Sequence, residues 1–158
     1  MKRAAVFIIF ITLVLSGSAF ALGKPDFSGT WALDAAKSDI GQGRPGAMAR
    51  AKVTIVIKQT SATLATTRTV GGRSDTAIEK LDGSESINKS PSGQDIKSTN
   101  RWEGPTLITK SVMSTKGVPP AESTFVRSLS ADGKVMTIDT TMKTPNGAKK
   151  QKLVYNKQ

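Results

Sequence analysis

Residues 52–83 read KVTIVIKQTSATLATTRTVGGRSDTAIEKLDG, and their pattern indicates how the chain folds. Apolar and more polar side chains alternate over 53–57, which is the period of a β-strand with one buried face. The alternation resumes over 62–70 and ends at Gly71-Gly72, a pair typical of the tight turn between two antiparallel strands. This stretch therefore predicts consecutive antiparallel strands joined by short turns.

Strand and turn signals continue over the rest of the chain. Strands are predicted at 27–33, 52–58, 62–70, 74–81, near 87, at 96–102, 106–115, 123–130, after the 132–133 turn and at the C-terminal end, with a loop at 116–120. Glycine and proline in 34–50 exclude a long helix and allow only a short helical turn, near 35–38 or 47–51. We predict an all-β fold, an antiparallel up-and-down β-barrel of about 8–10 strands, because a long sheet avoids exposed edges by closing on itself. A two-sheet sandwich is the alternative.

The predicted inward faces are only partly apolar. Their polar members are Thr66, Arg68, Ser98, Asn100 and Thr140. A barrel of about eight or more strands can hold one small ligand, and a partly polar lining fits a hydrated cavity. The alternatives are a filled interior, or a strand parity that is wrong by one residue and would turn these side chains outward.

Residues 1–21 have the parts of a secretory signal peptide. A basic pair opens the segment, 4–15 is almost purely apolar, and 19–21 is a small-x-small cleavage site. The apolar run is shorter than the roughly 20 residues that cross a bilayer, which favours a signal peptide over a transmembrane anchor. We therefore predict a single domain at 22–158 that is periplasmic or secreted and has no stable membrane anchor.

The chain contains no cysteine and no histidine. Zinc, copper and haem sites lose their usual ligands, and Ser-His-Asp or Cys-His catalysis is impossible. Without a cysteine, the exported product also has no site for a lipid anchor. Acid–base chemistry is left to carboxylates that the sequence scatters over different strands: Asp75, Glu79, Asp95, Glu103 and Glu122. We predict a monomer without metal, cofactor or enzymatic activity; an enzyme that uses carboxylates or Tyr155 is the least favoured alternative.

The formal net charge is +11, from 23 basic and 12 acidic side chains. Such a charge keeps a protein soluble and attracts anionic surfaces and ligands. Nucleic-acid binders cluster basic residues with aromatic side chains on which bases stack. Here the charges are spread along many strands, and only Lys149, Lys150 and Lys152 approach a run. The pattern therefore argues against a nucleic-acid partner.

The stretch Phe27-Ser28-Gly29-Thr30-Trp31 resembles the Gly-x-Trp opening of the lipocalins and fatty-acid-binding proteins. The longer stretch 27–38, together with 81–85, 129–134 and 152–158, is similar to a group of exported bacterial lipocalin-like proteins. This resemblance spans most of the predicted domain. It implies a calycin-type β-barrel that carries a small hydrophobic ligand.

The resemblance also implies roles for particular residues. Gly29 and Trp31 match the positions that close one end of such a barrel, where glycine lets the backbone pass closely and tryptophan plugs the end. Fatty-acid-binding proteins end with an Arg-x-Tyr that holds a ligand carboxylate. Tyr155 matches the tyrosine, but Leu153 stands in the arginine position, which puts that clamp in doubt. Arg68 could replace the missing arginine if its side chain points inward.

Two further residues complete the predicted ligand site. Arg127 lies beside Phe125 and Leu129 in the sequence and has the same ambiguity of direction as Arg68. Trp102 shares a face with Ile96, where core packing is favoured over a role as a platform for a sugar. The candidate ligand-binding residues are therefore Arg68, Trp102, Arg127 and Tyr155.

These observations predict a binding protein that holds a small apolar or amphipathic ligand in the barrel interior. The positive net charge favours an anionic ligand. The alternative is an envelope or protein-interaction module that uses the basic outer surface or the 41–50 loop. The lining of the interior distinguishes the two, because a packed core would leave only surface recognition.

Overall fold

The computed structural model describes residues 23–39, 52–144 and 147–158. The predicted signal peptide at 1–21, the helical turn at 47–51 and the 41–50 loop lie outside these residues. The described chain forms β1 (Gly29–Leu33), β2 (Val53–Gln59), β3 (Thr63–Val70), β4 (Arg73–Lys80), β5 (Ser86–Lys89), β6 (Asp95–Glu103), β7 (Thr106–Thr115), β8 (Val118–Leu129), β9 (Val135–Thr144) and β10 (Gly147–Lys157). The described residues contain no helix, and a turn at 35–37 stands where a short helical turn was predicted.

One sheet of ten antiparallel strands makes up the domain. Its order is β4-β3-β2-β1-β10-β9-β8-β7-β6-β5, so most strands lie beside their neighbours in the chain and β1 pairs with β10. That last pairing joins the first strand to the last, and it brings β4 and β5, the two ends of the order, towards each other. The predicted up-and-down barrel is confirmed, and the sandwich alternative is wrong.

Side chains, instead of a backbone ladder, bridge the gap between β4 and β5. The Asn88 carboxamide takes the place of a peptide group: its Oδ1 accepts from the Ile78 amide at 2.9 Å and its Nδ2 donates to the Ile78 carbonyl at 3.0 Å. Ser86 Oγ accepts from the Lys80 amide at 2.8 Å, and Asn100 Nδ2 donates to the Lys80 carbonyl at 2.9 Å. The barrel is therefore nearly closed along this seam.

We expect Asn88→Ala to weaken this seam locally. Two hydrogen bonds are lost at a half-buried site, so the free energy of unfolding should fall by about 1 kcal/mol. The amide of Ile78 should also exchange its hydrogen faster, which hydrogen-exchange mass spectrometry on the 73–80 peptide measures. Asn88→Asp, which keeps the acceptor but sets a carboxylate oxygen against the Ile78 carbonyl, should lose at least as much stability as Asn88→Ala. Unchanged exchange in Asn88→Ala would show that the seam does not depend on this side chain.

The pairing register decides which side chains face the interior. Directly paired residues share one face of the sheet. Ile55 pairs with Arg68, which also pairs with Asp75, while Ile138 pairs with Arg127. Because Ile55 and Ile138 are buried, the face that carries both arginines is the inner one. The inward alternative therefore holds for each.

One apolar cluster includes the N-terminal segment and buried side chains of the strands. It comprises Phe27, Trp31, Val53, Ile55, Ile57, Leu64, Leu81, Leu107, Met136, Ile138 and Tyr155. Partly buried hydrophobic side chains, including Val70, Phe125 and Leu153, pack against this cluster. Buried polar side chains, including Ser98, Asn100 and Arg127, share the interior with this apolar cluster.

The prediction of a loop at 116–120 is wrong, because β8 begins at Val118 and only Lys116 and Gly117 form a turn. Thr115 pairs with Val118, and a register shift between Met113 and Thr115 accommodates the extra residue. Within the described residues, the pairing of β8 with β9 runs from Glu122 to Leu129.

Candidate ligand-binding site

The segment before β1 closes one end of the barrel. Phe27 and Trp31 are both fully buried there, and the Trp31 indole Nε1 donates to the Phe27 carbonyl at 2.9 Å. Gln59 holds the segment from β2: its Oε1 accepts from the Phe27 amide at 3.1 Å, and its Nε2 donates to the Pro25 carbonyl at 2.9 Å. Two aromatic side chains, fixed by hydrogen bonds on both sides, thus form the floor of the interior.

Gly29 occupies a position where a side chain would be strained. Its φ of +138° lies outside the range that L-residues normally adopt, and an added Cβ would stand 2.8 Å from Cε of Lys157. Lys157 itself lies over the Trp31 ring, with Nζ 5.3 Å from the ring centroid. Gly29, Trp31 and Lys157 therefore lie close together where β1 meets β10.

Arg127 lies directly above this floor. It is only 8% exposed, and its Cζ is 5.7 Å from the centroid of the Phe27 ring. Two of its guanidinium nitrogens, Nε and Nη1, are buried and have no hydrogen-bond partner among the described residues. Burial lowers the pKa of Arg127, whereas Glu79 and Tyr155 act to raise it. Since an arginine stays protonated in proteins, the floor of the barrel presents a cation with free donors.

Glu79 is the acidic counterpart of Arg127. It pairs with the buried Leu64 and therefore faces inward from β4, where it is half-buried. Burial raises the pKa of this carboxyl group, while Arg127 and the nearby Ser98 hydroxyl act to lower it. No described carboxylate lies within the 4.0 Å ion-pair distance of Arg127. The two opposite charges therefore attract each other across the interior without direct contact.

Tyr155 and Arg68 belong to the same interior. Tyr155 is buried, which raises the pKa of its hydroxyl, and the charges of Arg68 and Arg127 partly offset this effect. The phenol consequently stays neutral at physiological pH and keeps its O–H as a donor. Arg68 is half-buried on β3 and lies within electrostatic range of Tyr155. The structure thus brings together three of the four residues that the sequence proposed for ligand binding.

Trp102, the fourth candidate, belongs to the floor. Its ring stacks on Phe27 with a centroid distance of 6.1 Å and an interplanar angle of 17°, and Lys24 Nζ lies 5.6 Å from its centroid. Trp102 also borders an outer cleft of about 320 Å³ that Lys24, Asp26 and Gln59 help to line. Its Nε1 is buried without a hydrogen-bond partner in the described part of the chain. Trp102 therefore lies beside Phe27 in the floor of the barrel.

Two residues of the site, Phe27 and Glu79, were not among the candidates predicted from the sequence. The sequence pattern assigns Phe27 to the first strand and marks Glu79 only as one of several scattered carboxylates. A signal for Glu79 is present, because a two-residue turn at Gly71-Gly72 sets Leu64 opposite Glu79. No comparable signal marks Phe27. Its position depends on hydrogen bonds to Gln59, which lies 32 residues away in the sequence.

Metal-binding clusters and membrane-spanning helices are both absent from the described residues. These residues contain no cluster of three or more acidic side chains able to hold a metal ion. Within 23–39, 52–144 and 147–158, no helix is long and apolar enough to cross a membrane.

The sequence matches no protein-family model and no curated protein. Solved structures do resemble it. A protein described as the REP1-NXSQ fatty acid transporter superposes with a TM-score of 0.62 at 17% identity, and the match covers 84% of this chain and 96% of that chain. Apo lipid binding protein 8 of Caenorhabditis elegans superposes with a TM-score of 0.64 at 15% identity, covering 84% and 95% of the two chains.

At 15% and 17% sequence identity, the similarity to these two structures shows a shared fold and nothing about function. Both neighbours match over nearly their full length, and the match extends over most of this chain. The antiparallel strand order of this chain, with β1 paired to β10 and a seam between β4 and β5, agrees with that likeness. The chain therefore has the lipocalin-like, calycin-type β-barrel fold that its Gly-x-Trp opening predicts.

Proposed function

We propose that this protein is an exported, non-enzymatic carrier that binds an amphipathic carboxylate inside the barrel. The carboxylate binds Arg127, and the apolar tail lies against the hydrophobic side chains of the inner face. One observation carries the proposal: Arg127 is 8% exposed, yet Nε and Nη1 have no hydrogen-bond partner among the described residues. A buried cation with unused donors is costly unless an anion completes it.

The geometry of the groups around Arg127 supports a carboxylate. A guanidinium group binds a carboxylate through two parallel hydrogen bonds, and such charge-assisted bonds are among the strongest in proteins. Tyr155 supplies a neutral O–H donor and Arg68 a second positive charge nearby. Leu153 replaces the arginine of the Arg-x-Tyr clamp, so in this chain the positive charge comes from β8 and β3.

The tail of the ligand has apolar side chains to contact. The inner faces of β2, β8, β9 and β10 carry hydrophobic residues beside the charged groups: Val53, Ile55, Phe125, Ile138 and Leu153. Two structural neighbours are described as a fatty acid transporter and a lipid binding protein, which supports this class of ligand. The signal-peptide pattern of 1–21 supports export, and the lack of histidine and cysteine supports binding without catalysis.

The test is a titration of protein that has been isolated from the periplasmic fraction and stripped of lipid. We expect one-to-one, saturable binding of dodecanoate in calorimetry. Methyl dodecanoate, which has the same tail and no charge, should bind about 10- to 100-fold more weakly because it loses a charged hydrogen bond. Equal affinity for acid and ester would overturn the role of Arg127, and recovery of the protein from the cytoplasm alone would overturn export.

A further inference from the structure

The interior contains a second charge that a carrier of simple fatty acids does not need. Glu79 faces inward opposite Leu64, and its carboxylate acts on Arg127 without forming an ion pair within 4.0 Å among the described residues. If Glu79 only neutralised Arg127, direct contact would stabilise both groups, because attraction falls with distance. The guanidinium donors Nε and Nη1 of Arg127 instead stay unpaired, which leaves them available to another group.

The unpartnered polar atoms of the interior fall into two chemical kinds. Arg127 offers the donors Nε and Nη1, while Thr66 Oγ1 is a buried hydroxyl without a partner in the described residues. Glu79 adds an acceptor that carries a negative charge near Ser98. A simple carboxylate satisfies Arg127 but is repelled by Glu79. A head group with a carboxylate and an adjacent O–H or N–H satisfies both.

We infer that the barrel selects amphipathic carboxylates that carry a hydrogen-bond donor next to the acid group, such as hydroxy acids or N-acyl amino acids, and that Glu79 is the residue that determines this preference. The inference rests on the proposed function, since it assigns the head group of that same ligand. In the complex, Arg127 donates to the carboxylate and Glu79 accepts from the neighbouring O–H or N–H. A site that holds a charged acceptor discriminates against a ligand without the matching donor, because its own group then stays unpaired.

The test compares dodecanoate with 2-hydroxydodecanoate, which differ by one hydroxyl. Calorimetry on the lipid-free protein should show about 5-fold tighter binding of the hydroxy acid. Glu79→Gln removes the repulsion, so dodecanoate should bind several-fold more tightly than to the original protein. Glu79→Leu also removes the acceptor, so the preference for the hydroxy acid should disappear. Glu122→Gln, a change at an exposed carboxylate, should alter neither affinity.

The outcomes separate this inference from the proposed function. Binding of dodecanoate without a preference for the hydroxy acid, or a preference that survives in Glu79→Leu, would overturn the inference and leave the carrier function intact. Failure of both acids to bind the original protein and both Glu79 variants would overturn the carrier function itself. Urea unfolding of each variant shows whether the fold is retained, because Glu79 is only half-buried and its replacement should not unfold the barrel.

Discussion

Replacing Arg127 with methionine is expected to weaken dodecanoate binding about 10- to 100-fold, because the charged hydrogen bonds to the ligand carboxylate are lost. The ligand-free protein, in contrast, should become more stable when Arg127 and Glu79 are both replaced by apolar side chains. Exchanging a buried, imperfectly paired charge pair for apolar side chains of similar size is often neutral or stabilising by about 1–4 kcal/mol. For the double variant Arg127→Met/Glu79→Leu we expect the free energy of unfolding to rise by about 1–2 kcal/mol, in the lower part of that range because Glu79 is half-buried.

The measurements are calorimetric titration with dodecanoate and urea unfolding of the ligand-free protein. Arg101→Met is the matched control, because Arg101 is exposed and pairs with Glu103 on the same strand. It should leave dodecanoate affinity unchanged and alter stability by less than about 0.5 kcal/mol. Loss of stability in the double variant together with unchanged affinity would identify Arg127 as a structural residue and refute the proposed site.

If the proposed function holds, this opposition between binding and stability accounts for the polarity of the interior. A barrel selected only for stability would carry aliphatic side chains at the buried positions around Phe27, including that of Arg127. This chain instead keeps the donors Nε and Nη1 of Arg127 and the hydroxyl of Thr66 buried and unpartnered within the described residues. Departures from a well-satisfied core concentrate where a protein uses them. The cost of these groups in the ligand-free state is thus an argument for a ligand.

The strands and their faces could be predicted because they depend on local pattern. Alternation over 53–57 and the tight turn at Gly71-Gly72 give both the strands and their pairing, and β2, β3 and β4 follow accordingly. The Gly-x-Trp opening likewise indicates which end of the barrel is closed. These features are set by neighbouring residues, so they can be recognised in a single sequence.

The rest of the site depends on contacts between residues that are distant in the sequence. The seam is bridged by Asn88 on Ile78 and by Asn100 on Lys80, and no strand pattern marks an asparagine for this task. Likewise, the approach of Glu79 to Arg127 depends on how the two halves of the sheet curve towards each other. Sequence alternation assigns a face to each strand but cannot bring β4 and β8 together across the interior.

The largest loss of stability is expected from Trp31→Ala, about 3–5 kcal/mol, because a fully buried tryptophan leaves a large cavity. Such a loss is a substantial part of the roughly 5–15 kcal/mol that stabilises a typical domain, so urea unfolding should be measured at low temperature. Trp31→Phe keeps an aromatic ring but removes the hydrogen bond to the Phe27 carbonyl. We expect it to lose about 1–2 kcal/mol and to bind dodecanoate as tightly as before.

Trp102→Phe is the control that separates the loss of the hydrogen bond from Trp31 to Phe27 from the effect of a smaller ring. Trp102 is half-buried, and its Nε1 has no partner in the described ranges, so Trp102→Phe removes a buried donor that is already unsatisfied. It should therefore cost less than about 1 kcal/mol, or even stabilise the barrel. Similar losses at the two positions would mean that ring volume alone matters. If Trp31→Phe instead kept its stability but lost dodecanoate, Trp31 would be part of the ligand site, and the floor of the barrel would have to be placed lower than Phe27.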